Sequence, residues 1–299
     1  MKKELSLGIV LVTAGAASYG VLATLVRLAY NQGYTPSEVI FAQYLLGLLS
    51  FGVLYLFKQK QLRQPQPLKV KAKTYAKLTL GGSAFGLTGM AYYFSVQYLP
   101  VSIAVVLLMQ SIWMGTVIEC MINRRFPSIF KITGSLIVCV GTVLATNAHQ
   151  NLEQLPATGI FWGLTTAVMY TISMTVANKV APTLPAEKRS FYILLGSFLM
   201  VASIGLPSLL LKFDTSIFWS WGLLLALFGT VLPPFLFNTG MPKTGVGLGS
   251  ILIAIEIPVS VSLAYFLLHE QVNLWQWGGI LLILLAVVVL NYRILKKSS

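Results

Sequence analysis

Acidic side chains are scarce in this chain: eight Asp and Glu residues against 21 Lys and Arg in 299 positions. Asp214 is the single aspartate, so an intramembrane aspartic dyad cannot be assembled. The two histidines, His149 and His269, lie far apart and close to loops, and the two cysteines, Cys120 and Cys139, sit in apolar runs. That pattern offers no metal-ligand spacing, no disulfide framework and no Ser–His or Cys–His pair. A Gly-Lys-Ser/Thr phosphate loop is also missing, which removes direct ATP-driven chemistry. Enzyme classes, resident metals and cofactors therefore receive no support from the residues.

Apolar length is abundant instead. Hydrophobic residues make up 56% of the chain and charged residues 10%, and the mean hydropathy is +0.79, outside the range of soluble domains. A hydrocarbon core of about 30 Å needs about 20 apolar residues per helix. Runs of that kind fall near 6–29, 37–57, 78–97, 101–122, 130–147, 158–178, 190–211, 217–239, 247–268 and 275–292, which predicts an all-α membrane protein of ten transmembrane helices. The first run is too long for a signal-peptide core and is kept as a helix.

The net charge of +13 is a topology signal rather than a nucleic-acid footprint, because the basic residues occupy short loops without stacking motifs. With a cytoplasmic N-terminus, every Lys and Arg except Arg27 and Lys212 falls on the cytoplasmic side. This places both termini in the cytoplasm and the chain in the cytoplasmic membrane. The basic, Pro- and Gln-containing loop from Lys58 to Lys73 reads as a cytoplasmic connector that attracts anionic lipid.

One carboxylate stands inside an apolar run, in Ile251-Leu252-Ile253-Ala254-Ile255-Glu256-Ile257-Pro258-Val259. A charge near the bilayer centre costs about 2.5–3.5 kcal/mol on insertion scales, so Glu256 is expected to face a cavity or a partner. Pro258 has no N–H to give the Ala254 carbonyl, which predicts a weakened helix and a carbonyl left free to bind. The pair Pro233-Pro234 predicts a second mid-membrane interruption, and Gly81, Gly82, Gly86 and Gly89 predict close packing of the third helix.

The halves repeat. A shift of about 145 residues places Gly134 on Gly279, Tyr98-Leu99-Pro100-Val101 on Lys243-Thr244-Gly245-Val246, and Gln110-Ser111 on Ile255-Glu256, with Trp113 on Pro258. A slightly larger shift places Gly8 on Gly159 and Tyr19 on Tyr170. Five helices per copy is odd, so residues 1–147 and 148–299 form two repeats of opposite orientation, the usual plan of secondary transporters.

Over both repeats, about residues 5–292, the chain resembles a ten-helix member of the drug/metabolite transporter superfamily, EamA type. The likeness is carried by Glu256-Ile257-Pro258-Val259, by Leu268-His269-Glu270-Gln271-Val272, and by Trp277-Gly278-Gly279-Ile280-Leu281-Leu282. Departures are Trp113 for a proline, Arg125 for a glutamate, His269 for a glycine, and Gln43 where many relatives carry an arginine. The resemblance implies a central cavity lined by the first, third and fourth helices of each repeat. Projected onto this chain, it gives Tyr19, Thr24, Thr88, Tyr92, Gln110, Trp113, Tyr170, Asn238 and Glu256 as substrate-binding candidates.

A carboxylate beside aromatic rings suits a positively charged amine, and no mid-membrane Lys or Arg offers to pair with an anion. Export of an amino acid or related amine metabolite is the expectation, with Glu256 also the candidate proton-coupling group. Uptake, passive facilitation, or a channel or scaffold role are the alternatives. Pro233, Pro234 and Pro258 are the candidate hinges. Arg27 is expected to pair with a carboxylate or steer substrate, Glu119 to lie at the membrane interface, and Glu270 to cap a loop. Gly134, Gly141, Gly278 and Gly279 allow close packing between the fifth and tenth helices or between protomers of a homodimer.

Overall fold

In the computed structural model, the structure describes residues 2–61, 72–124, 126–127, 129–146, 155–180, 184 and 186–298. They form α1 (Lys2–Asn31), α2 (Pro36–Gln61), α3 (Ala72–Tyr98), α4 (Val101–Leu108), α5 (Ser111–Asn123), α6 (Ile129–Ala145), α7 (Ala157–Lys179) and α8 (Ala186–Leu211). A π turn (Phe218–Gly222), α9 (Leu223–Ala226) and a second π turn (Leu227–Val231) lead into α10 (Leu232–Ile253), followed by α11 (Glu256–Leu268) and α12 (Leu274–Ser298). No strand occurs among the described residues.

Local chemistry sets several helix starts. Thr35 and Glu38 form a capping box: the Thr35 amide donates to Glu38 Oε2 at 2.8 Å and the Glu38 amide to Thr35 Oγ1 at 3.3 Å, with Pro36 at the first helical position. Asn273 and Gln276 exchange the same pair of bonds at the start of α12, both at 2.9 Å. Pro100 and Pro156 stand just before α4 and α7.

Six helices among the described residues are long and apolar enough to cross a membrane: Lys3–Asn31, Pro36–Leu54, Val101–Ile118, Ala157–Val176, Lys188–Leu211 and Phe218–Met241. Shorter apolar helices follow at Ile132–Ala145, Glu256–Leu268 and Leu274–Val287. The expected third run lies in α3, whose Gly, Ser, Thr and Tyr content keeps it out of both groups. The expected boundary between the eighth and ninth runs is not a loop, since α10 continues helically through Lys243 to Ile253.

Two breaks interrupt long helices at equivalent places, residues 109–110 between α4 and α5 and residues 254–255 between α10 and α11. Their hydrogen bonds correspond one for one at a shift of 145: Gln110 to Leu107 and Ile255 to Leu252, Ile112 to Met109 and Ile257 to Ala254, Met114 to Gln110 and Val259 to Ile255. Two expectations are corrected here. The Ala254 carbonyl is not free, because the Ile257 amide donates to it at 3.1 Å. Pro258 is not what makes the break either, since Trp113 stands in its place in the first half and the same break forms.

The packing exchanges in the same way. α1 lies against α10 and α11, while α7 lies against α3 and α4; α2 pairs with α8 and α6 with α12. A Cβ on Gly8 would stand 2.7 Å from Lys243 Cβ, and one on Gly159 would stand 3.0 Å from Tyr98 Cβ, which are matching contacts of the two halves. Gly82 and Gly86 let α3 press on the Ile193 and Ser197 backbone of α8. Gly141 and Gly279 bring α6 and α12 into backbone contact within one chain, whereas Gly278 faces open space.

Candidate functional site

Glu256 is the first residue of α11, directly after the break, and is half-buried. α1 crosses at this point because Gly20 has no side chain: a Cβ there would lie 2.9 Å from the Glu256 carbonyl oxygen and 2.8 Å from Val259 Cγ1. The carboxylate makes no ion pair among the described residues. Three half-buried phenols, Tyr19 of α1, Tyr92 of α3 and Tyr170 of α7, lie within electrostatic reach of it. Thus four of the sequence-predicted residues, drawn from both halves, share one neighbourhood.

Thr24 lies one turn beyond Gly20 and is 1% exposed, and its Oγ1 has no hydrogen-bond partner. Thr88 lies one turn before Tyr92 on α3, with its hydroxyl donating to the Ala84 carbonyl at 2.8 Å. Gln110 and Trp113 are held elsewhere. Trp113 Nε1 donates to Gln110 Oε1 at 2.9 Å, and the Gln110 amide donates to Thr142 of α6, toward the α6–α12 pair. The side chains of Asn238 and Glu119 lie outside the described residues.

Pro233 and Pro234 fall at the start of α10, immediately after the second π turn. The ladder is disturbed ahead of the prolines rather than at them, since each proline withholds an amide from a carbonyl four residues earlier. Ser18 of α1 donates to one carbonyl of this turn, Phe228, at 3.0 Å. Gly229 allows Gln43 Nε2 to come close, and the other end of that amide, Oε1, accepts the Tyr93 hydroxyl. Gln43 therefore occupies a packed, hydrogen-bonded position of its own.

Beyond this neighbourhood, one end of the bundle is tied by backbone caps. Arg27 donates to the Val96 carbonyl at 2.6 Å and the Gln97 carbonyl at 3.4 Å, and so meets the C-terminus of α3 and not a carboxylate, the first of its two expected roles. Glu270, just past α11, accepts from the Val101 amide at 2.6 Å and the Ser102 amide and hydroxyl at 3.1 and 2.8 Å, capping α4. Gln276 donates to the Ala145 carbonyl at the end of α6 at 3.2 Å. Glu38, fully buried, accepts the Asp214 amide at 2.8 Å; the Ser216 side chain and amide hold the Asp214 carboxyl below the usual carboxylate range. Sequence reasoning missed Glu38, although the Thr35-Pro36-Ser37-Glu38 capping box was readable.

Comparison with known proteins adds the following. A family model described as the EamA-like transporter family matches residues 6–147 and 157–292. No curated protein matches the chain. A crystal structure 15% identical in sequence superposes with a TM-score of 0.62, covering 96% of this chain and 99% of that one, which shows a shared fold.

Proposed function

The chain belongs to the EamA-like transporter family, and on that premise we propose that it is a secondary transporter whose site is centred on Glu256 and whose solute is an amine metabolite, moved by alternating access between two inverted five-helix repeats. The observation that carries this reading is the gathering of Glu256, Tyr19, Tyr92 and Tyr170 beside a broken helix. A negative charge next to neutral aromatic rings attracts a cation by pairing and by cation–π contact, the latter contributing about 0.5–2 kcal/mol per ring. Thr24 and Thr88 add hydroxyls to the same lining.

The breaks at 109–110 and 254–255, with the π turn ahead of Pro233-Pro234, supply places where backbone angles can change without loss of a full helical ladder. The matched contacts of the halves support the division near residue 148 and a two-repeat plan, while the distribution of Lys and Arg supports ten helices with both termini on the cytoplasmic side. Export is the direction we favour, with a proton at Glu256 exchanging for the cationic solute. Both repeats then contribute to one pathway, with Gln110 and Trp113 supporting its wall from the α6 side.

A thermal-shift screen of the purified protein against amino acids, polyamines, quaternary amines and nucleobases, run beside Glu256→Gln, tests the reading. A bound solute raises the melting temperature in proportion to occupancy. The expected result is stabilisation by an amine in wild type and none in Glu256→Gln. Stabilisation by neutral or anionic compounds alone, or an unchanged response in the variant, would overturn it.

A further inference from the structure

Three acceptor-bearing residues, Thr24, Glu256 and Ser260, stand within a helical turn of the point where α1 meets α11. α1 and α11 run the same way along the bundle, because Arg27 near the end of α1 reaches the end of α3, and Glu270 just past α11 reaches the start of α4 three residues later in the chain. Gly20 sets Glu256 and Val259 against α1. One helical turn further in the same direction stand Thr24 on α1 and Ser260 on α11, each 4 residues past its contact residue.

Both side chains are buried, Thr24 at 1% and Ser260 at 0% exposure, and neither hydroxyl oxygen has a hydrogen-bond partner among the described residues. A buried hydroxyl without a partner is costly, so two such groups on packed helices, each within about one turn of a carboxylate that makes no ion pair among the described residues, are an anomaly in a purely structural packing. A primary ammonium has three N–H donors, and Glu256, Thr24 Oγ1 and Ser260 Oγ are three acceptors.

We infer that Thr24, Ser260 and Glu256 form a seat for a primary ammonium group, which makes the solute a primary amine rather than a quaternary one. This deepens the function proposed above and rests on it. Neutral hydroxyls distinguish N–H donors from methyl groups, while the carboxylate and the rings attract either cation. Ser260 is thereby a specificity residue and not merely part of the packed face of α11.

The test uses benzylamine and benzyltrimethylammonium as probes, with thermal shift and tryptophan-fluorescence titration on the full chain in detergent. In wild type, benzylamine binds about tenfold more tightly than the trimethylated probe, a difference of about 1.4 kcal/mol, because only the primary ammonium can donate hydrogen bonds to the hydroxyls and the carboxylate. Ser260→Ala and Thr24→Val each reduce that preference to about threefold or less, and an unchanged far-ultraviolet circular dichroism spectrum reports that the variants fold. Equal binding of both probes in wild type, or an undiminished preference in Ser260→Ala, overturns the seat and leaves the Glu256 site standing. Failure of both probes to bind wild type, or equal binding to Glu256→Gln, overturns the underlying reading as well.

Discussion

At the residue scale, strain and charge are placed with different visibility in the sequence. His269 and Arg124 have φ of 55° and 49° at the ends of α11 and α5, positions related by the 145-residue shift. A left-handed conformation costs an ordinary L-residue about 1–2 kcal/mol, so His269→Gly is expected to stabilise the protein by about 1 kcal/mol, less the entropy glycine adds to the unfolded chain. Thermal unfolding in detergent checks this, and a lower melting temperature would show that His269 makes compensating contacts. Glu256 was legible because a lone carboxylate in an apolar run has few tolerable environments. Arg27 was only half legible: its charge was evident, but its partners are the backbone carbonyls of Val96 and Gln97, which leave no mark in a sequence.

Elements show where hydropathy reasoning succeeds and where it stops. Apolar length located the helices well, and Gly8 on Gly159 identified a contact that both halves use. What periodicity could not supply was the interruption at residues 109–110, where Val101–Leu108 and Ser111–Asn123 contain no proline or glycine pair to mark it. Because that break forms beside Trp113, Pro258→Ala is expected to keep the break at residues 254–255 and retain most transport activity. Loss of transport in correctly inserted Pro258→Ala would make the proline itself the hinge. The α6–α12 contact gives a second comparison. A methyl group at Gly279 meets the Ala145 amide nitrogen at 2.3 Å, whereas Gly278 meets nothing within 4 Å. Overpacking of this kind costs about 1–3 kcal/mol, so Gly279→Ala lowers the melting temperature and Gly278→Ala leaves it unchanged.

For the whole molecule, the informative feature is how the end carrying Arg27, Glu38 and Glu270 is fastened. Glu270 joins α11 to the first amides of α4, and so ties the two halves together across the bundle. A carboxylate at a helix N-terminus with charge-assisted bonds contributes about 1–2 kcal/mol in a partly buried setting. Glu270→Gln is therefore expected to loosen this end, which a cysteine placed at the buried Leu99, in a background with Cys120 and Cys139 replaced by alanine, would report as faster labelling by a soluble maleimide. An unchanged labelling rate would show that the cap does not hold the end shut. The repeat logic locates the counterpart of Glu270 at residue 125, and the residue there is Arg125, a cation where the second half has a carboxylate.

On the proposed alternating-access reading, a carrier with the Glu270 cap in one half and Arg125 at the equivalent sequence position of the other does not divide its resting time equally. A solute arriving from the rarely open face meets a competent protein only a fraction of the time, and its apparent affinity falls by that fraction. The two faces should then show unequal half-saturation concentrations and, for an uncoupled solute, a compensating inequality in maximal velocity, so that the ratio of velocity to half-saturation stays the same from either side. A departure from that equality under a proton gradient would measure, without any structure, how much of the gradient's energy the solute receives.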